Sequence, residues 1–434
     1  MEIARKKVAF HTLGCKLNFA ETSTISRSFP EDQFEKVKPG AKADIYVINT
    51  CSVTDIADRK CRQVIKKCIK ESPDAVIAVV GCYAQLNPGE VSSIPGVDLV
   101  LGTNEKFDAA AFLEKTGKRN NTEIHLCDPT ATDVFHPSFS MSDRTRSFLK
   151  VQDGCDYRCS YCTIPIARGH SRNQDIRSLV EEAEKIARKG IKEIVLTGVN
   201  IGDYGRSTGD NFVSLLRELI KVDGIDRFRI SSIEPNLLTD EIISLTAECK
   251  KILPHFHIPL QSGSDNVLRM MRRRYRRDQF EDRIRVIRKN IPLAGIGADV
   301  IVGFPGESDN DFEDTFSFLK EIPISYLHVF NFSERPGTTA EKMSAKVPFS
   351  IREKRSRRLI SLSENKHLEF SMQNIGQTAE ILFEHNRSEG MITGFTGNYL
   401  RSEYSWKASL AGTVKKARLT GISGSERMIV ELID

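Results

Sequence analysis

Gly154-Cys155-Asp156-Tyr157-Arg158-Cys159-Ser160-Tyr161-Cys162 is the stretch that decides how this chain is read. Its cysteines are spaced C-x-x-x-C-x-x-C, and the next cysteine in the sequence is Cys249. Structural zinc sites close with four ligands, commonly two C-x-x-C pairs. Iron–sulfur clusters are likewise usually held by four cysteines. Three thiolates at this spacing therefore form a metal site with one position left open. A zinc knuckle or a set of reactive thiols is the competing reading.

The surroundings of this stretch repeat. A strand pattern at 148–151 precedes Cys155, and further strand patterns follow at 193–199, 228–232, 255–260, 298–302 and 326–330. Helical patterns lie between them at 176–189, 212–221, 240–250, 279–290 and 311–321. Six βα units suit an incomplete parallel barrel, whose functional residues gather at the C-terminal ends of its strands. Cys155 stands in the loop after the first strand, where such a site belongs.

Upstream, apolar runs at 8–13, 45–49, 75–80 and 97–101 alternate with helical stretches such as 54–71, which Pro73 stops. This predicts an open α/β domain. Cys15, Cys51 and Cys82 each fall just beyond one of those strands. In an open parallel sheet such positions converge on one crevice. Three thiols distant in sequence can thus meet, again as three ligands with one open position. Ordinary core cysteines are the alternative. Cys61 and Cys68, seven apart on the 54–71 helix, read as packing or surface thiols, and Cys127 and Cys249 have no partner at ligand spacing.

Downstream, a basic helix from 351 to about 370 leads to short β-prone runs at 379–383, 390–395, 413–419 and 428–432, a pattern suited to a small antiparallel barrel. The expected division is 1–140, 141–371 and 372–434.

At 434 residues, two or three domains are expected, and 40% hydrophobic residues allow each a core. A net charge of +5 is only mildly basic, so a nucleic-acid surface must be a local patch. From Met372 onward, basic and acidic residues balance. No apolar run has the length of a membrane span, and the first residues lead into a strand pattern rather than a signal peptide, so a cytoplasmic protein is expected. Ten cysteines in a reducing compartment argue for metal or redox chemistry over disulfides.

The central triplet, the three upstream cysteines and the order of domains resemble the methylthiotransferase family of radical S-adenosylmethionine (SAM) enzymes. The resemblance spans essentially the whole chain. It implies a radical SAM 4Fe–4S cluster on Cys155, Cys159 and Cys162, and an auxiliary 4Fe–4S cluster on Cys15 (Leu-Gly-Cys-Lys-Leu-Asn), Cys51 (Asn-Thr-Cys-Ser-Val-Thr) and Cys82 (Gly-Cys-Tyr-Ala-Gln). The C-terminal barrel resembles a TRAM domain, a small RNA-binding module. Three acceptor classes are known in the family: isopentenylated adenosine in tRNA, threonylcarbamoyl-adenosine in tRNA, and an aspartate of a ribosomal protein. Gly-Cys-Lys-Leu-Asn-Phe-Ala-Glu-Thr at 14–22, Phe-Leu-Lys-Val-Gln-Asp-Gly-Cys at 148–155 and Pro-Ile-Ala-Arg-Gly-His-Ser-Arg at 165–172 most resemble the threonylcarbamoyl class. The other two acceptors, and a zinc-containing RNA-binding protein without catalysis, are the alternatives.

The resemblance further implies that SAM is cleaved to methionine and a 5′-deoxyadenosyl radical, that a second SAM supplies the methyl group, and that the partners are tRNA, an electron donor of flavodoxin or ferredoxin type and a sulfur donor. Candidate SAM contacts are Tyr161, Thr197, Gly198 and Asn200 at the second strand end, Ser232 and Glu234 at the third, and Gln261 at the fourth, with the Gly-Phe-Pro-Gly-Glu run at 303–307 near the expected adenine site. Arg168 closes the cluster loop, either orienting SAM or bracing the loop. The cluster Arg272, Arg273, Arg274, Tyr275, Arg276 and Arg277 sets five guanidinium groups around one aromatic. It is the candidate for phosphate contact and base stacking, and the basic helix at 352–358 is a second.

Overall fold

The computed structural model describes residues 5–114, 117–118, 121–131, 133–141 and 145–433. Strands β1 (Lys6–Thr12), β2 (Phe34–Val37), β3 (Ile45–Thr50), β4 (Val76–Gly81), β5 (Leu99–Leu101) and β6 (Glu123–His125) form one sheet in the order β2-β1-β3-β4-β5-β6. All its pairings are parallel. The central strands β3 and β4 are buried along their whole length, as apolar runs covered on both faces should be. The sequence reading missed β2, β6 and the helix Lys16–Arg27. That helix carries Ser and Thr in place of a clear apolar stripe, and buries Asn18, Glu21, Thr22 and Ser23. Tertiary contacts, not periodicity, make it a helix.

The central unit comprises β7 (Ser147–Lys150), the short antiparallel pair β8 (Gln152–Asp153) and β9 (Arg172–Asn173), then β10 (Glu193–Thr197), β11 (Arg227–Ile230), β12 (His255–His257), β13 (Gly295–Val302) and β14 (Tyr326–Asn331). Two parallel three-stranded sheets, β11-β10-β7 and β12-β13-β14, are joined by the bridges Phe228–Ile252 and Ser232–His257. Side chains such as Leu149, Leu196, Ile230, Phe256 and Val300 pack outward in one core with the surrounding helices. The alternate residues face inward and are largely polar: Lys150, Glu193, Arg229, His255, His257 and Asp299. The helix Lys16–Arg27 reaches this inner side, where Ala20 and Phe19 pack on Phe148 and Val195.

A 25-residue helix, Phe349–Gln373, leads to a closed barrel of β15 (Thr378–Ser388), β16 (Met391–Thr396), β17 (Arg401–Ser405), β18 (Val414–Ile422) and β19 (Met428–Leu432). The expected small antiparallel barrel is present, with one parallel pairing, that of β19 with β17, a strand the sequence reading missed. This barrel is bonded to the central one. Arg227 donates to Phe395 O at 3.1 Å, Arg229 to Gly397 O at 2.9 Å and Thr396 O at 3.2 Å, and Asn398 to Leu293 O at 2.9 Å. Tyr399, held at φ +75°, lies 4.5 Å from the His255 ring, with the Arg229 guanidinium 4.8 Å over its own.

Candidate active site

The loop carrying Cys155, Cys159 and Cys162 is tied at its base by β8 and β9 and by Cys155 N–H donating to Gly169 O at 3.1 Å. Gly154 is at φ +68°, and a Cβ there would lie 1.9 Å from His170 O, so only glycine fits. Each sulfur accepts a hydrogen bond: Cys155 from Tyr157 N–H at 3.4 Å, Cys162 from Ile164 N–H at 3.5 Å, and Cys159 from the Arg273 guanidinium at 3.0 Å. Burial pushes the Cys155 and Cys162 thiols up to about 12, and the other sulfurs of the set add to the rise. Three thiolates close together need a cationic centre to stay charged.

The second set is built by strand ends. Cys15 follows β1, Cys51 follows β3 and Cys82 follows β4. Gly14 packs so closely on Cys51 that a Cβ would sit 2.4 Å from its Cβ. Asn18 donates to Leu13 O and Thr50 O, joining two of the loops. Burial raises the Cys51 thiol, and Cys15 and Cys82 raise it further. Cys61 and Cys68 are buried packing residues, and Cys61 donates to Cys51 O at 3.4 Å.

A single zinc ion, with Zn–S near 2.3 Å, holds its sulfurs about 3.8 Å apart. Among the described residues the sulfurs of neither set all lie within 4.8 Å of one another. That spacing is wider than a single zinc ion requires.

Three features link the two sets. Arg168, at the end of the first loop, has a 2% exposed side chain and donates to Asp153, Glu21 and Asn18 at 2.9–3.0 Å. It is thus a brace. Glu21 is also bonded to Lys106 at 2.6 Å and Lys150 at 3.1 Å, and none of the three is exposed. The segment after β14 touches both sets: Arg335 donates to Ser52 at 2.6 Å and pairs with Asp58, while Ala340 N–H donates to Ser160 O at 2.7 Å. No local pattern marks Glu21, Lys106, Lys150 or Arg335, and the sequence reading missed them.

The remaining predicted residues divide. Gln152, also missed, accepts from Val199 and Asn200 N–H at 3.0 and 2.8 Å. A Cβ at Gly198 would lie 2.8 Å from Gln152 O. The Asn200 amide is buried with neither atom bonded, an unspent donor and acceptor at the end of β10 beside buried Thr197. Ser232 bonds His257, which bonds Asp299 at 2.9 Å. Gln261, at φ +66°, is fixed by backbone bonds to Asp299 and Ile301. Tyr161 accepts from Arg273, and Glu234 is paired with Arg273.

The arginine cluster requires correction. The Arg273 side chain is 3% exposed and engages Cys159, Tyr161 and Glu234. Tyr275 is buried and donates to Pro259 O and Leu260 O at 2.7 and 2.9 Å, so it has no face for a base. Arg272, Arg274, Arg276 and Arg277 are exposed. Three arginines of the basic helix are likewise spent within the chain, Arg352 on Glu334, Arg355 on Glu307 and Asp309, and Arg358 on Glu313, while Lys354 and Arg357 stay exposed. Glu307 also accepts from Gly303 N–H, so the 303–307 run seats that helix.

The radical SAM superfamily signature matches residues 149–319, and that of uncharacterized protein family UPF0004 matches residues 7–102. The threonylcarbamoyladenosine tRNA methylthiotransferase of Bacillus subtilis (strain 168) is 40% identical over 98% of this chain and 97% of its own length. The chain belongs to the radical SAM methylthiotransferase family. A tRNA-2-methylthio-N(6)-dimethylallyladenosine synthase of Acetivibrio thermocellus is 30% identical over 96% of this methylthiotransferase and 89% of its own length. Among solved structures, the radical SAM methyltransferase TsrM of Kitasatospora setae shares the fold at a TM-score of 0.54 and 13% identity, covering 90% of this chain and 77% of that one. The methylthiotransferases use SAM and two 4Fe–4S clusters, so the two three-thiol sets match the number of clusters to be held. No helix among the described residues is long and apolar enough to cross a membrane.

Proposed function

We propose that this enzyme converts N6-threonylcarbamoyladenosine beside the tRNA anticodon into its 2-methylthio derivative. What carries the choice of acceptor is the 40% identity over 98% of the chain to a relative named for that nucleoside, against 30% over 96% for one named for dimethylallyladenosine. Cys155, Cys159 and Cys162 would hold one cluster, and Cys15, Cys51 and Cys82 the other. When bound, the clusters and SAM supply the one-electron chemistry that adenine C2–H requires, since no general base at neutral pH removes that proton.

The chain's own residues hold and orient. Gln152 fixes the backbone at 199–200, which leaves the Asn200 amide to meet a polar group of SAM. Arg273 steadies Cys159 and Glu234 together. Tyr161, Thr197, Gly198, Ser232 and Gln261 complete the proposed SAM contacts. Arg272, Arg274, Arg276 and Arg277 are proposed to meet phosphates of the tRNA. The electron donor, of flavodoxin or ferredoxin type, and the sulfur donor belong to the same proposal, as does a cytoplasmic location.

Mass spectrometry of tRNA nucleosides from a deletion strain tests the reading. Loss of 2-methylthio-threonylcarbamoyladenosine with accumulation of its unthiolated precursor is expected, and an unchanged profile overturns it.

A further inference from the structure

Lys16 directly follows Cys15 and opens the helix Lys16–Arg27. Among the described residues its ammonium has no hydrogen-bond or ion-pair partner. It lines a cavity of about 180 Å³ together with Arg146, Phe148, Arg229 and Tyr399, so all three parts of the molecule contribute a wall. The other cations there are spent: Arg229 on Glu193 and two carbonyls, Arg146 on Glu384 at 3.3 Å. The inward-facing carboxylates are engaged as well, Glu193 by Arg227 and Arg229 and Asp299 by His257. His255 and His328 lie within electrostatic reach of Lys16 and add no negative charge. A partly buried, unpaired ammonium is costly, and an entering anion offsets that cost.

The threonylcarbamoyl arm ends in a carboxylate. It is attached at N6, which is separated from C2 only by ring atoms N1 and C6, so a base presented with C2 toward Cys15 carries its acid group past the neighbouring residue. A dimethylallyl arm is neutral and apolar, and would leave the ammonium unpaired. We propose that Lys16 is the carboxylate-binding subsite for the threonyl arm and that it rejects apolar N6 substituents; this rests on the acceptor proposed above. Selectivity then comes from an unsatisfied charge as much as from an attractive contact.

The test uses the enzyme with both clusters loaded and measures equilibrium binding of two anticodon stem-loop RNAs. One carries threonylcarbamoyladenosine and the other its methyl ester. The unsubstituted enzyme should prefer the free acid by about 10- to 100-fold, the range of a charge-assisted hydrogen bond. Lys16→Met and Lys16→Gln should bring that ratio to about one with the ester affinity retained, and Lys16→Arg should keep the preference. The ester is the folding control within each variant, and Lys16→Gln decides if Lys16→Met binds neither RNA. A ratio that stays the same in Lys16→Met and Lys16→Gln, or no preference in the unsubstituted enzyme, overturns the subsite alone. An unchanged nucleoside profile in the deletion strain overturns the acceptor instead.

Discussion

Replacing Glu21 by Gln removes the negative centre of a buried ionic network while keeping its shape. Glu21 and Asp153 are set among Lys106, Lys150, Arg168 and Arg172, with contacts between 2.6 and 3.5 Å. Cations thus outnumber anions before any substitution, and Glu21→Gln strands Lys106 without its carboxylate. Breaking a buried pair by removing one partner costs about 3–5 kcal/mol, because the other charge stays desolvated. At about 2–4 °C per kcal/mol for a unit of this size, the first thermal transition should fall by roughly 10 °C. Differential scanning fluorimetry at neutral pH reads this. Unfolding of a chain with several domains is not two-state, so the first transition is the relevant one. The double variant Glu21→Gln/Lys106→Met should recover part of the loss, since it removes the stranded charge. A Glu21→Gln transition within about 2 °C of the unsubstituted protein refutes the reasoning, as does a double variant no more stable than the single one. The pH dependence has a definite sign. Burial opposes ionisation of Glu21, but Arg168, Lys106 and Lys150 outweigh it and hold the carboxyl far below its usual range. Its contribution is complete above the unfolded value of 4.5 and is lost as pH falls below it, so the gap between Glu21→Gln and the unsubstituted protein should be constant from pH 8 to about 5 and close in acid.

Exchanging Cys159 for Ala should abolish SAM cleavage while leaving about half of the iron on the other cysteine set; retained cleavage contradicts the assignment. Arg274→Ala should weaken tRNA binding and reduce its log–log salt slope by about one unit, whereas Arg273→Ala should leave the slope unchanged and lower iron content, measured by titration at several salt concentrations. His136 stacks on Phe107 at 4.1 Å, and burial, followed by Lys150 and Lys106, lowers its pKa to about 4. Stability through this group is full above its unfolded value of 6.5 and declines as pH falls toward 4; His136→Gln should be less acid-sensitive across that window in thermal scans.

What could be read from sequence follows the range of each interaction. Cysteines three to seven positions apart announce a shared loop, and apolar runs with period two or 3.6 announce strands and helices, so the half barrel, the loop of Cys155, Cys159 and Cys162, and the strand ends before Cys15, Cys51 and Cys82 were legible. Helix Lys16–Arg27 was not, because its buried side chains include Glu21, whose partners Lys106, Lys150 and Arg168 lie 85, 129 and 147 residues away. Arg273 and Tyr275 misled for the opposite reason. Local composition presents a basic surface loop, yet the turn at Arg272, φ +57°, sends two of the six side chains inward to the cluster loop and the barrel. Composition gives the charge of a segment but not the direction in which its side chains point.

The bonds from Arg227 and Arg229 to the C-terminal barrel, and from its Asn398 back to Leu293 O, have a metrical consequence. Anchored to the floor of the half barrel by main-chain carbonyls, that module cannot swing as a tethered arm would. If that barrel holds the RNA, the nucleotide reaching the pocket would be counted off from the grip at a set reach, much as a caliper fixes a length.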